Sequence, residues 1–185
     1  MDTFDATTGT LEGPKLLTLD VNLKGGLSSV KLAAHFFKKN ANCGGRIVLT
    51  GSLAAYLAEP VPVYQASKHA LLGFMRAIRS SAPMFNVSIS MIAPWVTETS
   101  MVPPSFIEIM ANNKIPVNKA ETVARGIAVL SGEGHNGETI VVAEDQCIEV
   151  EGAFDKARSS WLGEKIDSDY RTYEQGRWLR MPSGW

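Results

Sequence analysis

Residues 52 to 68 read SLAAYLAEPVPVYQASK. This run places a hydroxyl, Ser52, just past an apolar segment, then a loop with Pro60 and Pro62, then Tyr64 and Lys68. The last two lie four residues apart at the opening of a helix-forming stretch, so they share one helical face. An ammonium held near a phenol favours the phenolate. A phenol drawn down from its ordinary pKa of ~10 can exchange protons with a substrate. Ser52, folded back beside Tyr64, would hydrogen-bond a carbonyl or alcohol oxygen and hold it. Tyr-x-x-x-Lys also arises by chance in many chains, so its meaning rests on what surrounds it.

Outward from this stretch the chain alternates between two patterns. RIVLT at 46–50, NVSISMIAP at 86–94 and ETIVVA at 138–143 are short apolar, β-branched runs, the type of strand that is buried on both faces. Between and before them apolar residues recur at threes and fours, which predicts helices over 15–39, 62–79, 105–113 and 119–131. Within the first of these, Asn22 and the pair Gly25-Gly26 are poor interior helix residues. They read either as tolerated surface positions or as a place that needs a side-chain amide and a close backbone approach. Residues 1–14 read as a loop and 40–45 as a turn. A helical piece is expected from Gly152 to about Lys165, and the polar tail with scattered aromatics reads as loosely packed.

Apolar strands alternating with helices predict an α/β fold with a parallel sheet. In such sheets ligands sit outside the carboxyl ends of the strands. The segments that follow the three strands begin at Gly51-Ser52, at Pro94 to Thr99 and at Ala143. Two of them carry hydroxyls, so topology and spacing agree on where chemistry would sit.

Composition narrows the function classes. The 18 basic and 19 acidic residues nearly cancel, so no strong field points to nucleic acid or an anionic membrane. Cys43 and Cys147 are too few and too far apart for a disulfide framework or a zinc cluster, and read as structural thiols with no metal site. The opening MDTFDATTGT is polar and acidic rather than signal-like. No window reaches the ~18 apolar residues of a membrane span. The expectation is a soluble, cytoplasmic protein in a reducing compartment.

Four motifs in order give the chain a family resemblance. LDVNLKG at 19–25, GGRIVLTGS at 44–52, VYQASKHALLGFMRAI at 63–78 and VSISMIAPWVTET at 87–99 resemble the Asn helix, the Ser strand, the Tyr-x-x-x-Lys helix and the cofactor loop of classical short-chain dehydrogenases/reductases. The Ala93-Pro94-Trp95 form and its apolar surroundings look most like fungal secondary-metabolite alcohol dehydrogenases and relatives of the prostaglandin-type dehydrogenases. The resemblance covers about residues 15 to 143. It implies a Rossmann-like doubly wound sheet and an NAD- or NADP-dependent oxidoreductase that interconverts a secondary alcohol and a ketone on a fairly apolar small molecule.

Carried over residue by residue, the resemblance implies that Tyr64 is the catalytic acid/base. Lys68 would depress the Tyr64 pKa and bind the nicotinamide ribose, while Ser52 polarises the substrate oxygen. Asn22 would bind a water that relays protons from Lys68. Asn22, Tyr64 and Lys68 would also count among the cofactor-binding residues, and Pro94, Thr97 and Thr99 match positions at the nicotinamide end of the cofactor. Trp95 stands where the family usually has Gly. With Met101 and Phe106 it reads either as the wall of an apolar, even aromatic, substrate pocket or as simple loop packing. A homo-oligomer through the helices at 15–39 and 62–79 is also implied.

The chain departs from the family as well. Ser52 and Tyr64 stand one residue closer than usual, which a shorter loop between the prolines would absorb. The strand, Gly-rich turn and helix that take a dinucleotide pyrophosphate have no counterpart at the expected spacing. The expectation is therefore an incomplete Rossmann-type domain over 1–150, with about three strands and an exposed edge beside 46–50, followed by an extension over 151–185 that is partly helical or loose. On that reading the chain alone has little activity. The alternative function is a catalytically inactive interaction or dimerisation module.

Overall fold

The computed structural model describes residues 7–39 and 44–176. Cys43, most of the expected turn at 40–45, residues 1–6 and the tail from 177 lie outside the described residues. The framework is a sheet in the order β1-β2-β3-β4, with β1 (Gly45–Thr50), β2 (Val87–Pro94) and β3 (Thr139–Ala143) parallel to one another. Among the described residues β1 forms one edge, as the sequence leads one to expect. The fourth strand, β4 (Gln146–Glu149), is a correction to the three read from the sequence. It runs antiparallel to β3 across a two-residue turn, Glu144-Asp145, with both residues at positive φ.

The long helix expected from residue 15 is present as α1 (Leu17–Leu19), a π-helical turn over Asp20–Gly25, and α2 (Gly26–Lys39). The π turn falls where Asn22 and the glycine pair interrupt the apolar pattern. Single π turns inside α-helices are rare and occur often at functional sites. Gly26 is where this helix meets its neighbour: a Cβ there would lie 3.1 Å from Leu71 Cδ2. The neighbour is α3 (Pro62–Ile78), which starts with proline in its first turn, where the missing N–H costs nothing.

The strand pattern sorts side chains onto two faces. Leu49, Ile89 and Met91 join Val30, Leu71, Leu72 and Met75 in a core beneath α2 and α3. On the other face Ile92, Ile140 and Val142 pack with Leu130, Val123 and Ile127 of α5 (Ala120–Leu130), which follows the short α4 (Pro104–Asn112). Ile89, Met91, Ile92 and Val142 are wholly buried. Burial of such side chains is worth about 1.5–3 kcal/mol each, which fixes the strand ends on which the site is built.

Beyond the sheet, α6 (Glu151–Leu162) and α7 (Glu164–Gly176) form a helical pair. The segment 167–176, loose by its composition, is helical. It is held by ion pairs rather than an apolar stripe: Arg158 and Arg171 both bind Asp167, Arg158 also binds Glu174, and Arg171 binds Asp155. The pair is anchored at Glu151, whose carboxylate receives hydrogen bonds from Tyr56, Arg76 and Arg79 at 2.6–2.8 Å. No helix among the described residues is long and apolar enough to cross a membrane.

Candidate active site

Parallel pairing brings the carboxyl ends of β1 and β2 side by side, with Thr50 opposite Ile92. The chain leaves β1 through Gly51, where a Cβ would fall 2.5 Å from the Met91 sulfur, so only glycine lets the backbone pass this close. Ser52 follows in extended conformation and is 8% exposed. Its hydroxyl caps the 3₁₀ turn Leu53–Ala55 by accepting from the Ala54 N–H at 3.1 Å, and donates at 3.4 Å to the Pro94 carbonyl. Ser52 thus bridges the two strand ends.

Tyr64 and Lys68 occupy successive turns at the start of α3, half-buried, with the Lys68 ammonium 5.5 Å from the centre of the Tyr64 ring. The ammonium donates to the Thr50 carbonyl at 2.9 Å. Burial pushes the Lys68 pKa below the ordinary lysine value, since a low-dielectric surrounding disfavours the charged form. The Tyr64 hydroxyl makes no hydrogen bond among the described residues.

Asn22, on the π turn, donates through Nδ2 to Ser67 Oγ at 3.1 Å. Ser67 sits between Tyr64 and Lys68 in sequence and is wholly buried, and its own hydroxyl proton goes to the Tyr64 carbonyl at 2.6 Å. Asn22 is therefore tied to the helix that carries the Tyr–Lys pair. Among the described residues no hydrogen bond joins Ser52 to Tyr64 or Asn22 to Lys68.

The loop after β2 starts in register with the sheet, the Trp95 N–H donating to the Val142 carbonyl at 2.8 Å. Thr97 turns its hydroxyl back to the Trp95 carbonyl at 2.9 Å. Thr99 accepts from the Met101 N–H and is exposed, and Met101 itself is 91% exposed. Pro94, Trp95 and Thr97 are thus gathered at the strand ends, whereas Thr99 and Met101 stand in solvent. An apolar groove of about 410 Å³ lies elsewhere, lined by Val30, Ala34, Ile47, Ala82 and Val87 near the amino ends of β1 and β2, and holds none of these residues.

Two residues that position this site escape a reading of the sequence. Asn118 is wholly buried, donates to the Val142 carbonyl at 2.7 Å, accepts from the Asp145 N–H, and exchanges backbone bonds with Val96 and Glu98. It clamps the loop of Trp95 and Thr97 to β3. Ser67 is the other. A serine inside a helix three residues after Tyr64 is the one local signal for it; nothing local marks Asn118.

Residues 16–108 match the short chain dehydrogenase family. The chain belongs to that family. It is 32% identical over 182 residues to the short-chain dehydrogenase/reductase prx4 of Penicillium roqueforti, covering 88% of this chain and 55% of that protein. It is 28% identical over 179 residues to the short-chain dehydrogenase/reductase ATR7 of Stachybotrys chlorohalonatus, covering 85% of this chain and 56% of that one. The chain spans about half the length of the curated relatives it matches. Among solved structures, 4-hydroxyisoleucine dehydrogenase complexed with NADH and succinate superposes with a TM-score of 0.60 at 23% identity, over 68% of this chain and 55% of that one. That likeness establishes the Rossmann-type fold.

Proposed function

We propose that the chain carries the proton-transfer half of an NAD- or NADP-dependent oxidoreductase that interconverts a secondary alcohol and a ketone on a fairly apolar small molecule, in fungal-type secondary metabolism. The observation that carries this reading is the Tyr64–Lys68 pair on one face of α3, with the ammonium 5.5 Å from the ring centre, beside the carboxyl end of β1 that presents Ser52.

Tyr64 gives or takes the proton of the substrate hydroxyl, a task its unengaged hydroxyl leaves it free to perform. Ser52 holds the substrate oxygen by exchanging its long, weak bond to Pro94 for a shorter one. Lys68 offers three donors, one now on Thr50 and the others available to the hydroxyls of a nicotinamide ribose. These groups fit the nicotinamide end of such a cofactor, whose ring supplies or accepts the hydride. Pro94, Thr97 and Thr99 contact that end, and Asn22 holds a relay water near Lys68. Trp95 and Met101 form the apolar side of the substrate pocket, Met101 by folding inward from its exposed position.

A second reading rests on a separate observation. Leu32 and Phe36 of α2 are 59% and 57% exposed. An inactive module would dock through such residues, the helices at 15–39 and 62–79 forming the contact.

Calorimetry of the purified chain with NADH and NADPH separates the two. The oxidoreductase reading expects saturable binding of one of them, weakened at least tenfold by Lys68→Met. No heat with either cofactor supports the module instead.

A further inference from the structure

We propose that Tyr56 is a positioning residue for Ser52, tying the turn that presents the Ser52 hydroxyl to the start of α6. This rests on the oxidoreductase reading above. The Ser52 oxygen is aimed by the Ala54 N–H, from which it accepts at 3.1 Å as cap of the 3₁₀ turn Leu53–Ala55. Its proton goes to the Pro94 carbonyl only at 3.4 Å, beyond the roughly 2.5–3.0 Å of an ordinary O–H···O bond, and is readily redirected to a substrate oxygen. The placement of that oxygen thus depends on the turn. A single 3₁₀ turn has poor hydrogen-bond geometry of its own, and Ala54 and Ala55, though buried, carry only methyl groups. Tyr56 closes and pins it. Its N–H donates to the Leu53 carbonyl at 2.9 Å, and its hydroxyl donates to Glu151 Oε1 at 2.6 Å, 95 residues along the chain.

The anchor also reaches the helix of the Tyr–Lys pair. Glu151 is buried, and its two oxygens divide their partners. Oε1 accepts from Tyr56 and Arg76 Nη2, with a long third contact from Thr139, whereas Oε2 accepts from Arg76 Nε and Arg79 Nη1. The Arg76 guanidinium lies 5.6 Å from the Tyr56 ring centre, and the Phe154 ring of α6 lies 5.1 Å from it. Burial, and then the bond to Glu151, push the phenol above its ordinary range, so Tyr56 keeps its proton and remains the donor. Arg76 stands eight residues beyond Lys68 on α3. One carboxylate therefore holds both the Ser52 turn and the helix of Tyr64 and Lys68, which no direct hydrogen bond between Ser52 and Tyr64 joins among the described residues.

Two substitutions take the anchor apart differently. Tyr56→Phe keeps the ring and removes only the bond to Glu151. Glu151→Gln keeps a carbonyl oxygen able to accept from Tyr56 but loses the anion that Arg76 and Arg79 share. A positioning role predicts that function follows the Tyr56 bond; a merely structural role predicts that it follows the melting temperature, which Glu151→Gln lowers more. In the purified chain, exchange of the Ala54 amide, read against the amides of β2, is expected to quicken about tenfold in Tyr56→Phe and to stay near the parent in Glu151→Gln. Exchange no faster in Tyr56→Phe than in the parent overturns the anchor. Turnover is measured on this chain completed with the Gly-rich first part of a full-length relative. There Tyr56→Phe is expected to lower kcat about tenfold at little changed cofactor KM, and Glu151→Gln to lower it less than about threefold. An unchanged kcat in Tyr56→Phe, or one no lower than in Glu151→Gln, overturns the positioning role. A completed parent without turnover overturns the oxidoreductase reading and the positioning role with it, and the Ala54 exchange then decides the anchor alone.

Discussion

The Lys68 ammonium donates to the Thr50 carbonyl across 2.9 Å, and that carbonyl belongs to the open edge of the sheet. In a parallel ladder the N–H and C=O of one residue point to the same side. The Gly45 and Gly51 N–H groups bond to Asn86 and Ile92, so odd positions of β1 face β2 and Thr50 faces outward. Lys68 caps a backbone acceptor that no strand takes up among the described residues.

Lys68→Met should separate stability from function. Burial already disfavours the ammonium, and Thr50 is exposed, so water replaces the lost donor at small cost. The melting temperature is expected to stay within about 2 °C of the parent or rise, while nicotinamide binding falls. The sign with pH follows from the lowered pKa. The penalty of the buried charge is present in full at neutral pH and is relieved as pH rises towards the ordinary lysine pKa of ~10.4. Between pH 7 and 10 the parent should gain stability relative to Lys68→Met; a parallel pair of melting curves would contradict this.

Glu151 gives a prediction of opposite sign. Burial pushes its carboxyl up, but hydrogen bonds from Arg76 and Tyr56 and the nearby charges outweigh this and hold it below the usual carboxylate range. Its contribution is present above the ordinary pKa of ~4.3 and is lost as pH falls through the lower folded value. Glu151→Gln leaves Arg76 and Arg79 without their shared anion. Both arginine side chains are about one-third exposed and can rehydrate, so the cost should be about 2 kcal/mol rather than the 3–5 of a fully buried pair. Chemical denaturation at pH 7 measures it, and at pH 3 the gap to the parent should shrink. Tyr56 titrates at the other end: burial, and then its bond to Glu151, push the phenol above its ordinary range.

The β3–β4 turn offers a stabilising change. Glu144 and Asp145 have φ of 52° and 55°, a pair of positive values that hairpin turns normally assign to Asn and Gly. Asp145 is held by the Lys119 N–H and the Thr122 hydroxyl, so it should remain. Glu144→Asn relieves strain without touching those bonds and should add about 0.5 kcal/mol in denaturant titration.

This turn also explains why one strand was not legible. The three parallel strands stand out as β-branched, apolar runs, because burial on both faces demands such residues. In β4 every residue is exposed and no Gly or Asn announces its turn, so neither pattern nor punctuation marks it. Residues 167–176 of α7 hid for a related reason: they depend on specific charge pairs with α6, and pairing leaves no periodic apolar trace. In the candidate site, Asn22, Ser52, Tyr64 and Lys68 stand out in the sequence because the proposed chemistry would need such residue types at a strand end or on one helical face. Ser67 and Asn118 act through bonds to partners 45 and 24 residues away, and distance in sequence conceals such roles.

The most direct test of the proposed chemistry is turnover with NADH or NADPH and a panel of apolar ketones. The protein assayed is this chain completed with the Gly-rich first part of a full-length relative, compared with the Tyr64→Phe variant of the same completed protein. The substitution removes one oxygen whose hydroxyl bonds to nothing else among the described residues, so folding should be unchanged. Positioned proton transfer contributes about 10²–10⁴-fold. The account predicts at least a hundredfold loss of kcat at neutral pH with an unaltered melting curve. Turnover in Tyr64→Phe equal to that of the parent would contradict it.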